Sequence, residues 1–219
     1  MKPPEVLLNE RSLAREHLEH ILVLVSFTGL LRKEEILSLL LPALVDRPYL
    51  PTDAALATPA AVLLIIHYPI DKPYVLLTKR SSNLKSHTGE ISLPGGRYVK
   101  SDGTFADTAL RETAEEVGLS FTIEQIVGCL RAVRTMTSNH FIVPFVTIQD
   151  LLPQYMISSS EVEAVIDVPL IETLKSIKRD TEHYHFAKDA FKFTSGDNVI
   201  WGATARILKQ MYDILIGVS

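Results

Sequence analysis

Two adjacent glycines, Gly95 and Gly96, lead after a short connection into a helix-patterned segment, Thr104 to Val117, that carries Glu112, Glu115 and Glu116. No other feature restricts the fold of this chain as much. At i, i+3 and i+4 the three carboxylates share one helical face. Ala106, Leu110, Ala114 and Val117 gather on the opposite face, where they can pack on a sheet. Gly118 is placed to close the helix in a left-handed conformation. A double glycine after an apolar strand lets the backbone turn sharply and approach a ligand, which only glycine does cheaply.

Like charges at this spacing repel by a few tenths of a kcal/mol per pair. A bound cation relieves that repulsion, and carboxylate oxygens on a rigid helix suit hard divalent ions such as Mg²⁺ or Mn²⁺. Arg111 lies four residues before Glu115, where it can pair with and orient a carboxylate, and Asp107 can in turn hold Arg111. The alternative is a solvated acidic face, which is common; the glycine turn just upstream favours the cation.

The rest of the chain reads as mixed α/β. Leu18, Ile21, Leu22 and Val25, then Ile36, Leu39, Leu40 and Leu44, recur at helical spacing, so residues 12–45 are expected to be helical with a break at Gly29. Residues 1–50 form a helical extension in this reading, packed on a main domain of residues 55–219, or else presenting a dimer surface. Pro48, Pro51 and Pro59 mark the linker. Strands are expected at Ala61 to Tyr68, Tyr74 to Thr78, Gln125 to Thr135, Phe141 to Ile148 and Glu161 to Ile166. Leu170 to Ile177 fits a short helix, His183 to Phe186 with Ala190 to Thr194 a hairpin, and Trp201 to Leu215 a closing helix. Strands and helices interleave without strict alternation, which predicts a mixed sheet with helices on both faces.

Composition removes several function classes. With 219 residues, 47% of them apolar and 22% charged, the chain can bury a core as one domain with an appendage. A net charge of −4 favours neither a nucleic-acid backbone nor an anionic membrane surface. The single cysteine, Cys129, excludes an internal disulfide framework and reads as a small buried hydrophobe. The apolar stretch Ile21 to Leu31 is too short to span a bilayer, which needs about 20 residues. Mixed charges from Glu5 to Glu19 do not form a secretory signal, and Gly217-Val218-Ser219 does not match a peroxisomal one, so a cytoplasmic protein is expected.

The glycine turn and acidic helix resemble the Nudix box, in which Gly96, Arg111, Glu112, Glu115, Glu116, Gly118 and Leu119 keep the register. Asp102 stands where the first glutamate is usual, with one extra residue before Arg111, and Thr113 replaces an apolar residue. The longer spacing is similar to that of the coenzyme A diphosphatase-like branch. So are Leu76-Leu77-Thr78-Lys79-Arg80-Ser81, Leu84-Lys85-Ser86-His87-Thr88-Gly89 and Leu93-Pro94-Gly95-Gly96, although Lys85 replaces an arginine and Leu93 a phenylalanine. The likeness continues through Glu161-Val162, Val168-Pro169-Leu170 and Ile200 to Ala205, covering roughly residues 60 to 210.

The resemblance implies an α/β/α sandwich and a Mg²⁺- or Mn²⁺-dependent cut in the diphosphate of coenzyme A, or of its acyl or oxidised forms. The products would be 3',5'-ADP and a phosphopantetheine. Glu112 and Glu116 are then the metal ligands, with Glu115 either a third ligand or the base that deprotonates water. Arg111 orients them, and Glu161 is a further ligand or base, or else a solvated acid beside Glu163. Arg80, Lys85 and His87, with Gly95 and Gly96, would hold the substrate; Arg80 otherwise makes a structural salt bridge, and His87 otherwise caps its loop. Trp201 is read as core, and His183 and His185 as lacking carboxylates spaced for a metal. Other Nudix substrates (NADH, ADP-ribose, a damaged nucleoside triphosphate) and a non-catalytic nucleotide-binding or partner-docking module are the rivals. The expected partner is a small nucleotide, neither nucleic acid nor membrane, with a homodimer as one use of the N-terminal stripe.

Overall fold

The computed structural model describes residues 31–48, 57–82, 89–183 and 190–216. The run from Thr58 to His67 forms β1, and from Leu63 onward its residues are buried on both faces because helices cover both sides of the sheet. Its neighbour β7 (His140–Gln149) runs parallel to it along its full length, from Thr58 opposite His140 to His67 opposite Gln149. On its other side β1 meets β2 (Tyr74–Arg80) antiparallel only at Ile65, Ile66 and His67. Beyond that point the two strands part.

A wedge fills the gap. The short β3 (Ile91–Ser92) pairs with β2 at Thr78 and Lys79, and β4 (Gly95–Arg97) pairs with β1 at Ala60, Ala61 and Val62. Between them the Pro94 carbonyl accepts from the Leu63 amide at 2.9 Å. The double glycine therefore sits inside the sheet. β5 (Ile126–Cys129) and β6 (Val133–Arg134) border β7, and β8 (Val162–Pro169) borders β2, completing a mixed sheet.

Two apolar layers flank it. On one face Leu63, Ile65, Leu76 and Val143 pack against Ala106, Ala109 and Val117 of α2 (Phe105–Val117). On the other, Leu64, Ile66, Val75 and Val146 pack with α1 (Lys33–Leu40), α3 (Leu170–Lys175) and α4 (Gly202–Leu215). The expected α/β/α sandwich with a mixed sheet is present. A small second sheet, β11 (Asn198–Ile200), β10 (Phe191–Ser195) and β9 (Lys178–Arg179), lies beside α4.

Several expectations change. The helix expected to run to Val45 stops at Leu40, and Pro42 follows; Val45 instead forms a bridge with Cys129. Residues 12–30 lie outside the described part. The strand expected from Gln125 to Thr135 breaks into β5 and β6, with Gly128 at φ +144° beside an irregular register. Ala190 to Thr194 pairs with Asn198–Ile200 across a turn at Gly196, and with β9. His183 is not in a strand, and residues 184–186 are outside the described part.

Candidate active site

The acidic helix is held from both ends. Thr104 caps it: its hydroxyl accepts from the Asp107 amide at 3.2 Å, and the Asp107 carboxylate accepts from the Thr104 amide at 3.0 Å. Asp107 is thus spent on the cap, and it is Asp102 that holds Arg111. Arg111 Nε donates to Asp102 Oδ1 at 2.8 Å and Nη2 to Oδ2 at 3.1 Å, a two-pronged grip. The Thr108 hydroxyl and Val99 amide also donate to Asp102. Arg111 chiefly, with these two, lowers the Asp102 carboxyl to about 2, despite its burial. A 3₁₀ turn over Lys100–Asp102 followed by Gly103 brings the aspartate back to the helix, a distance in sequence that periodicity does not show.

The rest of the guanidinium reaches the glutamates. Arg111 Nη2 lies 2.9 Å from Glu112 Oε1, and Nη1 donates to Glu115 Oε2 at 3.0 Å. Glu115 is mainly solvent-facing, its side chain 59% exposed. Glu112 lies against Gly96, where an added Cβ would stand 2.5–2.6 Å from its carboxyl atoms. Glu116 is only 7% exposed and accepts from the Gly95 amide at 3.1 Å. The two glycines have separate roles. Gly95, at φ +151°, admits no Cβ because it would meet the Ala61 carbonyl at 2.3 Å, while Gly96 makes room for Glu112.

Burial raises the Glu116 carboxyl to about 7, the Gly95 amide opposing it and the charge of Glu112 adding to it. Arg80 lowers it and Glu161 raises it, so both lie within electrostatic reach of Glu116. Burial also raises Glu112, against the pull of Arg111. Among the described residues no three acidic, histidine or cysteine side chains converge as a preformed metal cage. Glu112 and Glu116 nevertheless meet at one glycine turn. Burial shifts both toward the protonated form, for Glu116 with the charge of Glu112 added, and a hard cation can take the place of a proton there. The donor set fits such an ion.

Arg80 Nη2 donates to Glu161 Oε2 at 3.2 Å, and Ser81 N to the Glu161 carbonyl at 2.8 Å. The distant Glu161 is thereby brought to the strand that flanks the wedge. Arg80 Nε is buried without a partner among the described residues. Lys85 and His87 lie outside the described part.

Sequence reasoning missed Ser158, whose hydroxyl donates to the Glu115 carbonyl at 2.6 Å while its amide donates to the Glu116 carbonyl at 3.3 Å. A lone serine in a loop gives no sequence signal for this. One further reading is corrected. Trp201 is half-buried and stacked on His183 instead of lying in the core. His183 has one carboxylate partner, Asp180, 3.1 Å away.

A NUDIX domain family model matches residues 57–189. This chain belongs to the Nudix family. It is 36% identical over 161 residues to Nudix hydrolase 22, chloroplastic, of Arabidopsis thaliana, covering 68% of this chain and 52% of that one. It is 33% identical over 162 residues to the mitochondrial coenzyme A diphosphatase NUDT8 of Homo sapiens, covering 71% and 69%. Against the uncharacterized Nudix hydrolase NudL of Escherichia coli the figures are 31% over 183 residues, 79% and 90%. The chain spans about half the length of several curated relatives, among them those of Arabidopsis thaliana and Caenorhabditis elegans (52%, 55% and 54%). No helix of the described residues is long and apolar enough to cross a membrane.

Proposed function

We propose that this Nudix chain is a divalent-cation-dependent hydrolase of a nucleoside diphosphate derivative, with coenzyme A or its acyl or oxidised forms as substrate. The observation that carries the reading is the placement of buried Glu116 on the Gly95 amide, beside Glu112 and within reach of the charge of Glu161. Glu112 and Glu116 would hold Mg²⁺ or Mn²⁺, which when bound offsets phosphate charge and makes water a better nucleophile.

The chain's own groups do the positioning. Arg111, locked by Asp102, keeps Glu112 and Glu115 on one side of the helix. Glu115, exposed and steered by Arg111, takes the proton from the attacking water. Arg80 turns its guanidinium from Glu161 toward a phosphate oxygen, for which its fork is suited. The coenzyme A assignment is supported by residues 76–96, which follow that branch's upstream signature, and by the likeness to the human coenzyme A diphosphatase.

The test is product analysis with coenzyme A, NADH and ADP-ribose, each with Mg²⁺ or Mn²⁺. Release of 3',5'-ADP from coenzyme A faster than turnover of the others is expected; the reverse order would overturn the substrate choice. Glu116→Gln is expected to lower kcat/KM by at least 100-fold, and undiminished hydrolysis would remove it from the site. Glu115→Gln is expected to lower kcat while leaving the cation dependence unmoved. A weakened cation dependence would make Glu115 a ligand instead of the base.

A further inference from the structure

A cleft of about 270 Å³ opens between the loop after β6 and the start of α4, where β11 and α4 pack against β3. Its walls include Met136, Ser138, His183, Phe191, Trp201 and Arg206. The imidazole of His183 lies flat on the indole of Trp201, with ring centroids 4.1 Å apart and planes 9° from parallel. Asp180, wholly buried, fixes that imidazole: its Oδ1 lies 3.1 Å from His183 Nδ1 and accepts from the His183 amide at 3.0 Å. Arg206 is tied to the Arg134 carbonyl, which steadies a guanidinium in the wall. A flat double ring, apolar side chains and a held cation make a site for one flat, polar-edged group.

The cleft also lies within reach of the glycine turn. Glu90 lines it, and the Glu90 carbonyl accepts from the Arg80 amide at 2.9 Å. Gly95 follows Glu90 by five residues, so the chain keeps them within about 18 Å. An extended diphosphate with a nucleoside at one end spans a comparable length. At about 270 Å³ the cleft is smaller than the roughly 300–1,000 Å³ that encloses a whole drug-sized ligand, so it suits one end of a longer molecule.

We propose that this cleft is the subsite for the aromatic base of the substrate's nucleoside half, packed against the Trp201–His183 wall. The inference rests on the diphosphatase reading above. A base has the planar face that covers stacked rings and the polar edge that meets Arg206; a flexible amide arm has no such face.

Trp201 is the only tryptophan of the chain, so fluorescence excited at the red edge, where the seven tyrosines do not absorb, reads this cleft alone. The unaltered chain is titrated separately with 3',5'-ADP, ribose 5-phosphate and 4'-phosphopantetheine. Saturable quenching by 3',5'-ADP, and by neither of the others, is expected. In parallel, Trp201→Leu is expected to raise KM about tenfold, with Trp201→Phe recovering most of the loss. Quenching by 4'-phosphopantetheine in place of 3',5'-ADP would overturn the proposal and give the cleft to the other half of the substrate. Hydrolysis accompanied by unmoved fluorescence would overturn it and leave the diphosphatase reading standing. Quenching by 3',5'-ADP without cleavage of any diphosphate would support the base site and overturn the diphosphatase reading. The titration needs no variant, so it decides even if Trp201→Leu fails to fold.

Discussion

A carboxyl group presses on Gly96 so closely that one methyl would decide whether the site works. In Gly96→Ala the new carbon would stand 2.5–2.6 Å from the Glu112 carboxyl, which is the end of a side chain and can swing away. The fold is therefore expected to survive, with an unchanged circular dichroism spectrum, while kcat/KM falls on the order of 100-fold because the carboxylate is displaced. The neighbouring glycine behaves differently, since a methyl at Gly95 meets the Ala61 carbonyl and a backbone cannot swing away. Thr113 shows how the site tolerates a polar residue where an apolar one is usual. It is fully buried, yet its hydroxyl donates to the Ala109 carbonyl at 2.7 Å, so no donor is left without an acceptor.

The ends of α2 matter as much as its faces. Its last carbonyls have no partner within the helix, and the loop over 156–158 supplies three donors: Met156 N to Val117, Ser158 N to Glu116 and Ser158 Oγ to Glu115. Ser158→Ala removes the shortest of these and is expected to cost about 1 kcal/mol in urea unfolding, with a lower kcat because Glu115 loses its anchor. The helix itself was legible in the sequence to within a residue, as was its left-handed close at Gly118, φ +70°. The long buried strands were legible too, with ends off by up to three residues, because the apolar runs of β1 and its neighbours are local signals. The wedge of β3 and β4 was not legible. Strands of two and three residues exist only because β1 and β2 part to receive them. Choosing Asp107 over Asp102 as the holder of Arg111 failed for a related reason. Helical spacing put Asp107 four residues away, while a 3₁₀ turn outside the helix carried Asp102 to the same guanidinium.

Across the whole molecule, two sets of buried carboxylates pull stability in opposite directions with pH. Asp102 is lowered from its ordinary 3.8 to about 2, so its contribution is complete above about pH 4 and is lost as pH falls through about 2. Asp167, where burial is outweighed by its bonds to His67 and Tyr155, acts in the same sense. Glu116 does the reverse: raised from 4.5 to about 7, it makes the folded protein bind the extra proton, so stability falls as pH rises from about 4.5 to about 7. Without divalent cation, thermal unfolding is expected to give the highest Tm near pH 4 to 5. Adding Mg²⁺ or Mn²⁺ is expected to move that maximum upward, and Glu116→Gln to flatten the decline between pH 5 and 8. A Tm that climbs steadily to pH 8 in the cation-free wild type would contradict this assignment of charge. The parted strands have a consequence of their own. Because the Leu63 amide is bonded to Pro94 and not to a long neighbouring strand, the middle of the sheet stays sealed only while the glycine turn is docked. Slow deuterium uptake at that one amide would mean a seated turn, so a probe deep in the interior monitors the readiness of the proposed reaction at the surface.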